Sequence, residues 1–467
     1  GILAMNLTAS DNRIISGTNG MEFLDSDEQN LQLIANIQIS QNFITAQGSG
    51  IKVNNPAIIV YDFTAFDNSI VGSSEFGIIL RGLDENLFLP EDVASFQRAI
   101  QRNSVQVKGA GIVIGVSDAK ILDNDITIKY AEAHQQNISY GIVIMASNCT
   151  AANNTLQGVI DLSTNIRSKG GIYIFVPPSH KQDARSKKII IRANRISGGI
   201  ANGIEIASNI DNVVIESNLI HKMGLNGIAV DSKIQSTNNM IISNNKISRC
   251  NQLVGAGTSW WKYAGIVLKS GEKIQITGNE ICENGRDITN PGFLVGGIYA
   301  EQVRNVIIAN NQLINNGLLS ENFVSLQAVI HVPAIPTNSV GNEDIKVVNN
   351  LVQGSRAPAL FLGGEFNCFK FNNLIICFGQ DTKTIISGNH FESLITGPTV
   401  QLQSNHCIFS NNYIECPDSP NVDAVDLGYG WYLTATGNIS SSPISGAGWV
   451  LVIEHNVIFY LSEDNNG

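Results

Sequence analysis

The stretch that decides the fold occurs twice, as GIVLKSGEKIQITGNEICENG at 265–285 and as GIYAEQVRNVIIANNQLINNG at 297–317. Each copy opens with glycine and aliphatic residues, continues with a second apolar run, and then places an asparagine, Asn279 or Asn311, before the next turn. Apolar and polar residues alternate within each run, which is typical of short β-strands. The stretch is therefore a repeat of strands too short to be stable alone.

The glycine-plus-aliphatic signature recurs along almost the whole chain. It starts at Gly20, Gly50, Gly77, Gly111, Gly141, Gly171, Gly203, Gly227, Gly265 and Gly297. Later copies keep the pattern without the glycine, from Val329, Ala359, Thr399 and Ala424. A spacing of about 24–40 residues predicts a solenoid, in which each coil buries its apolar face only when a neighbouring coil stacks on it.

Asparagines align at one position of the repeat, after the second apolar run. They are Asn124, Asn154, Asn194, Asn218, Asn245, Asn279, Asn311, Asn350, Asn373, Asn412 and Asn438. A side-chain amide at a turn can bond both the turn backbone and the asparagine of the next coil. The sequence predicts an all-β fold: one parallel β-helix of about 15 coils with an internal asparagine ladder.

This repeat resembles the right-handed parallel β-helix of the pectate-lyase-like superfamily over roughly residues 20–460. The resemblance implies a single right-handed β-helix domain over 1–467, located outside the cell or on its surface. It also implies that a polysaccharide lies on the sheet built from the glycine-signature strands. Within the domain, FLPEDVASFQRAIQRN at 88–103 predicts a short amphipathic helix inserted laterally. No cap is visible at the N-terminus, so a missing neighbouring segment or chain is expected there.

Composition excludes several classes of partner. The net charge of −11, from 40 acidic residues against 29 Lys plus Arg, argues against binding to a nucleic-acid backbone. No apolar run reaches the length of about 20 residues that spans a bilayer. The 5 methionines and 7 scattered histidines form no soft-ligand cluster. No cofactor is expected, and calcium remains an open alternative without a clear acidic site.

Long loops are predicted on both sides of the sheet that the glycine signatures form. They are residues 177–188 and 333–344 after the signature strand, and 250–264, 283–296 and 318–328 before it. The turn that carries the asparagines stays short. These loops would wall a groove across the first sheet.

Candidate catalytic residues occupy the outward positions of this sheet in the middle coils. They are Asp231, Lys269, Glu301, Tyr299 and His331. Asp231 and Glu301 would lie two coils apart, roughly 10 Å at the backbone, and their carboxyl groups could approach the ~6.5–9.5 Å of an inverting glycoside hydrolase. In a lyase or epimerase, Lys269 or His331 would instead neutralise a uronate while Tyr299 donates a proton. A purely structural Asp231–Lys269–Glu301 ladder is the alternative interpretation.

Candidate substrate-binding residues are Glu205, Tyr173, Trp260, Trp261 and Phe361. Aromatic faces match the apolar C–H faces of sugar rings, and Glu205 supplies an acceptor. The tryptophan pair has a second interpretation, in which one ring anchors the long loop and the other is exposed.

Two functions follow from this pattern. The first is a polysaccharide-directed enzyme, a lyase, hydrolase or epimerase acting in the groove over the first sheet. The alternative is a non-catalytic structural or glycan-binding rod, such as a tailspike, an adhesin or an injection-system component. Rods of that kind often trimerise, so a homotrimer or larger assembly is expected with it. The expected partner is a polysaccharide or surface glycan, unless the rod is purely structural.

Overall fold

The computed structural model describes most of the repeat. The described residues are 2–23, 32–55, 58–82, 97–129, 139–158, 160–161, 166–167, 169–175, 188–208, 210–230, 237–252, 263–285, 295–300, 303–316, 330–332, 343–355, 360–362, 382–393, 400–402, 406–415 and 425–458. They contain 48 strands, numbered here in chain order, and no helix. The chain divides into two compact units, unit 1 at Gly1–Gly224 and unit 2 at Leu225–Gly467.

Unit 1 is a stack of coils, and each coil contributes one strand to each of three parallel sheets. The first sheet holds the glycine-signature strands β3 Met21–Phe23, β6 Ile51–Asn54, β10 Phe76–Arg81, β13 Ala110–Gly115, β16 Tyr140–Ile144, β21 Gly170–Ile174 and β24 Ile204–Ile206. The second holds β1 Ile2–Ser10, β4 Gln32–Ser40, β8 Phe63–Phe66, β11 Arg98–Gln101, β14 Ala119–Leu122, β17 Thr150–Ala152, β22 Ile189–Arg192 and β25 Val213–Glu216, with β7 Ile58–Val60 also paired to β4.

The third sheet of unit 1 follows the asparagine turn. It holds β2 Arg13–Ser16, β5 Phe43–Ala46, β9 Ser69–Ser73, β12 Ser104–Val107, β15 Asp125–Ile128, β18 Thr155–Gln157, β23 Arg195–Ser197 and β26 Leu219–His221. A small antiparallel pair, β19 Ile160–Asp161 and β20 Ile166–Arg167, stands outside these sheets.

Unit 2 repeats the arrangement. Its first sheet holds β27 Ile228–Val230, β30 Tyr263–Leu268, β33 Val295–Ala300, β36 Ile330–Val332, β39 Leu360–Leu362 and β42 Val400–Leu402. Its second sheet holds β28 Thr237–Ser243, β31 Gly271–Thr277, β34 Val303–Ala309, β37 Glu343–Val348, β40 Thr382–Ser387 and β43 His406–Ser410, and β45 Val425–Thr436 and β47 Ile444–Glu454 bend through both sheets. Its third sheet holds β29 Lys246–Ser248, β32 Glu280–Cys282, β35 Gln312–Ile314, β38 Leu351–Ser355, β41 His390–Ser393, β44 Tyr413–Glu415, β46 Ile439–Ser440 and β48 Val457–Ile458.

The core is built from the alternate residues of each strand that face the interior. On β16 and β21 these are Ile142, Ile144, Ile172 and Ile174, each 0% exposed. Because their neighbours in register are also isoleucines, aliphatic side chains stack coil on coil along the interior. A β-branched side chain suits both the strand backbone and this stacking.

The asparagine ladder is confirmed as a continuous chain of hydrogen bonds within each unit. In unit 1 it runs through Asn12, Asn42, Asn68, Asn103, Asn124, Asn154, Asn194 and Asn218. In unit 2 it runs through Asn245, Asn279, Asn311, Asn350, Asn389, Asn412, Asn438 and Asn456. Each unit thus shows eight coils at this turn, consistent with the predicted total of about 15.

Every rung of the ladder has the same geometry. The Oδ1 of Asn194 accepts hydrogen bonds from both the backbone N–H and the Nδ2 of Asn154, each at 3.0 Å, and the Nδ2 of Asn194 donates to the Ala151 carbonyl at 2.9 Å. The residue before each asparagine adopts the left-handed conformation, as Ala193 does at φ 54°. The turn therefore consists of two residues, one left-handed and one buried amide.

Two predictions about this repeat are wrong. Asn373 does not occupy the rung after Asn350, because Asn389 accepts the bonds of Asn350 and donates in turn to Asn412. The helix predicted over 88–103 is wrong for its second half: Arg98–Gln101 is strand β11 and Asn103 is a ladder residue. Residues 88–96 lie outside the described residues, as does Asn373. In strand β11 the Arg98 side chain is buried and donates to the carbonyls of Val60 and Ser117.

No helix long and apolar enough to cross a bilayer occurs in the described part of the chain. The groove walls predicted from the long loops fall mostly on residues 177–187, 253–262, 286–294, 318–328 and 333–342, which lie outside the described residues.

Replacing Asn194 with alanine tests the ladder. The change removes the acceptor of the Asn154 backbone N–H, one of the two acceptors of Asn154 Nδ2, and the side-chain donors to the Ala151 carbonyl and to Asn218 Oδ1. Asn154 and Asn194 are both 0% exposed, and Asn218 Oδ1 keeps the backbone N–H of residue 194. Since each buried unsatisfied group costs about 1–3 kcal/mol, we expect a loss of about 3–5 kcal/mol in the free energy of unfolding, measured by urea denaturation.

The control is Asn153→Gly, one residue earlier in the same turn. Asn153 is exposed and has φ 57°, a conformation that glycine adopts freely, so we expect a change within about 0.5 kcal/mol. Equal losses in the two variants would contradict a special role for the buried amide.

Candidate functional site

The outer face of the first sheet in unit 1 carries the candidate site. Tyr173 of β21 pairs in register with Glu205 of β24. The residues on either side of Tyr173, Ile172 and Ile174, face the core at 0% exposure. Tyr173 and Glu205 therefore point outward, as the alternation of the signature predicts, and both are partly exposed.

The Glu205 carboxylate is held by two donors on one oxygen. The Tyr140 hydroxyl and the Asn202 Nδ2 each donate to Oε2 at 3.0 Å. Among the residues that the structure describes, no donor contacts the other oxygen, Oε1. Two hydrogen bonds on one oxygen fix the orientation of the carboxylate.

Tyr140 bridges two coils to reach this carboxylate. It lies on β16, and β21 separates it from Glu205 on β24. Its ring is only 3% exposed and stacks on Tyr173, with 4.7 Å between ring centroids and 19° between planes. Burial, followed by the negative charge of Glu205, raises the pKa of the Tyr140 phenol well above its ordinary range. Tyr140 is therefore a neutral donor that orients Glu205.

Lys169 completes the cluster from the residue directly before β21. Its Nζ lies 4.8 Å from the centroid of the Tyr140 ring, a cation–π contact. Its backbone N–H donates to the buried Ser139 hydroxyl at 3.1 Å. Burial lowers the pKa of the Lys169 ammonium, and the Glu205 carboxylate offsets this effect in part. A lysine with a lowered pKa exchanges its proton closer to neutral pH than an exposed lysine does.

An aromatic surface adjoins the carboxylate. Tyr173 and Phe175 are stacked, with 10° between ring planes and 6.3 Å between centroids, and both are partly exposed. Burial, then the charge of Glu205, raises the pKa of the Tyr173 phenol. The pair forms a partly exposed aromatic surface next to an oriented acceptor.

The chain holds a second copy of this carboxylate arrangement near its start. Asn19-Gly20-Met21-Glu22 matches Asn202-Gly203-Ile204-Glu205, and Asn19 Nδ2 donates to Glu22 Oε2 at 2.6 Å. There, however, the second oxygen is occupied, because Lys52 Nζ lies 2.8 Å from Oε1. Burial acts to raise the pKa of Glu22, but the Lys52 and Asn19 hydrogen bonds outweigh it and the pKa is lowered. Glu22 thus has the same asparagine donor as Glu205, but its carboxylate forms an ion pair within the fold.

Sequence reasoning found Glu205 and Tyr173 and missed Tyr140, Lys169 and Asn202. The three missed residues precede the signature glycines. The alternation of inward and outward side chains was applied only to the positions after each glycine, so it did not identify them. A signal was nevertheless present. Asparagine before the signature glycine and glutamate three residues later occur together at Asn19 and Glu22 and again at Asn202 and Glu205.

In unit 2 the outward row of the first sheet follows the predicted register, with Val267, Tyr299, His331 and Phe361 paired in turn. Tyr299 is 3% exposed and packs against Ala264 and Val267, which is 1% exposed. At these coils the outer face is therefore closed, whereas at Tyr173 and Glu205 it is accessible.

Several predicted site residues are not placed by the structure. Asp231, Glu301, Trp260 and Trp261 lie outside the described residues, and of His331 and Phe361 only the backbone is described. Lys269 is partly exposed, and its N–H donates to the Val230 carbonyl at 3.0 Å. The Asp231–Lys269–Glu301 row stays a prediction, as do the catalytic roles of Tyr299 and His331.

A metal site is not defined by the described residues, since they contain no group of three His, Cys, Asp or Glu side chains arranged to hold an ion. The expectation that calcium is an open alternative stays a prediction. The chemistry that the described site offers consists of one oriented carboxylate, two phenols, an amide and a lysine.

The fold defines the class of protein. A family model described as a right handed beta helix region matches residues 181–374. The predicted right-handed parallel β-helix is confirmed. No curated protein matches the chain in sequence.

Solved structures of similar fold are distant in sequence. The Dettilon tailspike protein (gp208) is 14% identical at a TM-score of 0.36, over 90% of this chain and 62% of that one. The catalytic domain of Agl-KA is 11% identical at a TM-score of 0.40, over 91% of this chain and 62% of that one. The alginate lyase AlyF-OU02 in complex with G6 is 11% identical at 0.39, over 97% and 83%. The chain thus spans less than two thirds of the first two proteins, and these similarities concern the fold alone.

Replacing Tyr140 with phenylalanine tests the raised phenol pKa. The folded protein keeps the Tyr140 proton at a pH where the unfolded chain, with an ordinary pKa of about 10, releases it. The contribution of this group to stability is therefore complete below about pH 10 and is lost as the pH rises further. We expect the urea midpoint of the wild type to fall more steeply above about pH 10 than that of Tyr140→Phe.

At pH 7 the same variant should be less stable than the wild type by about 1–3 kcal/mol, because Glu205 loses a donor. Parallel pH profiles for the two proteins would show that Tyr140 is not held in its neutral form by the fold.

Proposed function

We propose that the protein binds a polysaccharide along the outer face of the first sheet in unit 1. The observation that carries the proposal is the Glu205 carboxylate, which Tyr140 and Asn202 orient through one oxygen, Oε2, next to the partly exposed Tyr173–Phe175 pair. Location at the cell surface or outside the cell follows as part of the same proposal.

The two halves of the site match the two kinds of surface on a sugar. The C–H face of a pyranose packs on an aromatic ring, and the edges of that ring carry hydroxyl groups. Hydrogen bonds to an ionised carboxylate are about twice as strong as neutral ones, so Oε1 is a favourable acceptor for a sugar hydroxyl. The rings of Tyr140 and Tyr173 already stack, so they lose little conformational freedom when a ligand binds.

The internal comparison favours a ligand-binding role for Glu205 rather than a structural one. Glu22 has the same asparagine partner but uses its second oxygen in an ion pair with Lys52. Glu205 instead accepts hydrogen bonds from the buried Tyr140 phenol and from Asn202, both through Oε2. Burying the polar groups of Tyr140 and Lys169 around Glu205 costs free energy of folding. A purely structural role for Glu205 does not explain that cost.

Proton-transfer catalysis is a second candidate function, favoured by the lowered pKa of Lys169. Removal of a proton next to a uronate carboxylate needs a base, a group that hydrogen-bonds the carboxylate and a proton donor. Lys169, Asn202 and Tyr173 are groups of these kinds beside Glu205. Hydrolysis would need two carboxylates about 5–9.5 Å apart, and the described part of this cluster holds one. Elimination or epimerisation therefore fits the cluster better than hydrolysis.

Replacing Glu205 with glutamine tests the binding proposal. A panel of neutral and acidic polysaccharides identifies the ligand with wild-type protein, and calorimetry then measures affinity. Losing a charge-assisted hydrogen bond and loosening its two donors should weaken binding by about tenfold or more. Glu22→Gln removes the same charge from the matched Asn-Gly-x-Glu motif and should leave affinity unchanged. Equal affinities of the wild type and Glu205→Gln for every ligand bound would contradict the proposal.

Catalysis is tested in the same panel by following new reducing ends and the absorbance of unsaturated uronates. If the site eliminates, Lys169→Met should abolish turnover while retaining most of the affinity. Binding without turnover on every polysaccharide would leave the protein as a glycan-binding β-helix.

A further inference from the structure

The accessible part of the candidate site in unit 1 is short. It consists of partly exposed outward side chains on three adjacent strands, β16, β21 and β24, or on the residue that follows each strand. These are Val143, Met145, Tyr173, Phe175, Glu205 and Ala207, called here the open patch. With about 4.8 Å between adjacent strands, the open patch measures roughly 10 Å along the stack of coils.

Along the stack, the open patch ends at strand β13. All six residues of this strand, Ala110–Gly115, are buried. In the column of Tyr173, the residue after Val143 is Val113, at 5% exposure, and the next is Ile79, at 3%. A ligand that lies on the open patch therefore finds no accessible side chain on β13 along which it could continue.

Along the strands, the open patch is closed on the side of the signature glycines. Tyr140, Gly170 and Asn202 directly precede those glycines and are buried, Tyr140 at 3% and Asn202 at 8% exposure. The Lys169 ammonium lies over the Tyr140 ring at this edge. The open patch therefore has two closed sides that meet at a corner beside Val143 and Tyr140.

A polymer that passes across a site needs two opposite open sides. Here one side is closed along the stack and one is closed along the strands, so neither direction lets a chain pass. We propose that the open patch binds the end of a polysaccharide chain, whose terminal sugar lies in this corner. This inference rests on the proposed polysaccharide-binding function, and it adds the part of the polymer that is recognised.

The chemistry of Glu205 suits a chain end. A terminal sugar carries a free hydroxyl group at the position where an internal sugar forms its glycosidic bond. An ionised carboxylate is a strong acceptor for such a hydroxyl group. Because Tyr140 and Asn202 fix the Glu205 carboxylate, this acceptor is oriented before the ligand binds.

The test varies the length of the polymer. Polygalacturonate, alginate and pullulan, all linear, are each separated into short, medium and long size fractions and titrated by calorimetry at known chain concentration. For the polymer that binds, each chain should bind a single protein whatever its length, and the affinity per chain should stay constant. Binding to internal sugars would instead increase the number of proteins bound per chain as the chain lengthens.

Two matched variants locate the chain end. Val143→Trp fills the corner next to β13 and should weaken binding of every size fraction by about tenfold. Val214 is also a partly exposed outward valine of unit 1, but it lies on β25 of the second sheet. Val214→Trp makes the same change on another face and should leave the affinity unchanged.

The outcomes separate the two proposals. A number of bound proteins that rises with chain length, or an affinity that Val143→Trp leaves unchanged or lowers no more than Val214→Trp, would overturn recognition of the chain end while Glu205→Gln still weakens binding. Absence of binding to all of these polymers, or equal affinity of Glu205→Gln and the wild type, would overturn the polysaccharide face and the chain-end inference together.

Discussion

The hydrogen-bonded column of asparagines is the constraint on which the rest of the structure depends. Each turn between the second and third sheets buries backbone groups that water cannot reach, and the amide of the next coil satisfies them. The preceding residue must adopt the left-handed conformation, even where it is an alanine, as at Ala193, φ 54°. That conformation costs about 1–2 kcal/mol, which the bonds of Asn194 offset.

Because the interior is fixed by this column and by stacked isoleucines, the outer face of each coil is free to carry chemistry. The difference between Glu22 and Glu205 shows this freedom. Both have an asparagine donor three residues earlier, but Glu22 pairs in register with Lys52 of the following strand, whereas Glu205 pairs with Tyr173 of the preceding strand. The partner that lies in register with the carboxylate therefore differs between the ion-paired Glu22 and Glu205.

The sequence predicts the fold far better than the site, for physical reasons. The fold is predicted from a repeat that occurs many times along the chain. One misaligned residue, such as Asn373, therefore does not change the predicted fold. The helix predicted over 88–103 rested on the apolar spacing of a single stretch, and it is wrong at Arg98–Gln101, which is a strand with Arg98 buried. The site depends on contacts between coils. Tyr140 donates to Glu205 across the intervening strand β21, and the repeat pattern in the sequence does not indicate that these two side chains meet. Alternation could place Tyr173 and Glu205 on the outer face but not the residues before the strands that complete the cluster.

The most direct test of the account is hydroxyl-radical footprinting of the wild-type protein with and without the polysaccharide that binds most tightly. Sugar chains lying on the first sheet of unit 1 should protect the partly exposed Tyr173, Phe175 and Met145 from oxidation. Tyr432, which is 52% exposed in unit 2, should be oxidised equally in both samples. Protection of Tyr432 with unchanged oxidation of Tyr173 and Phe175 would place the ligand elsewhere and contradict the proposed site.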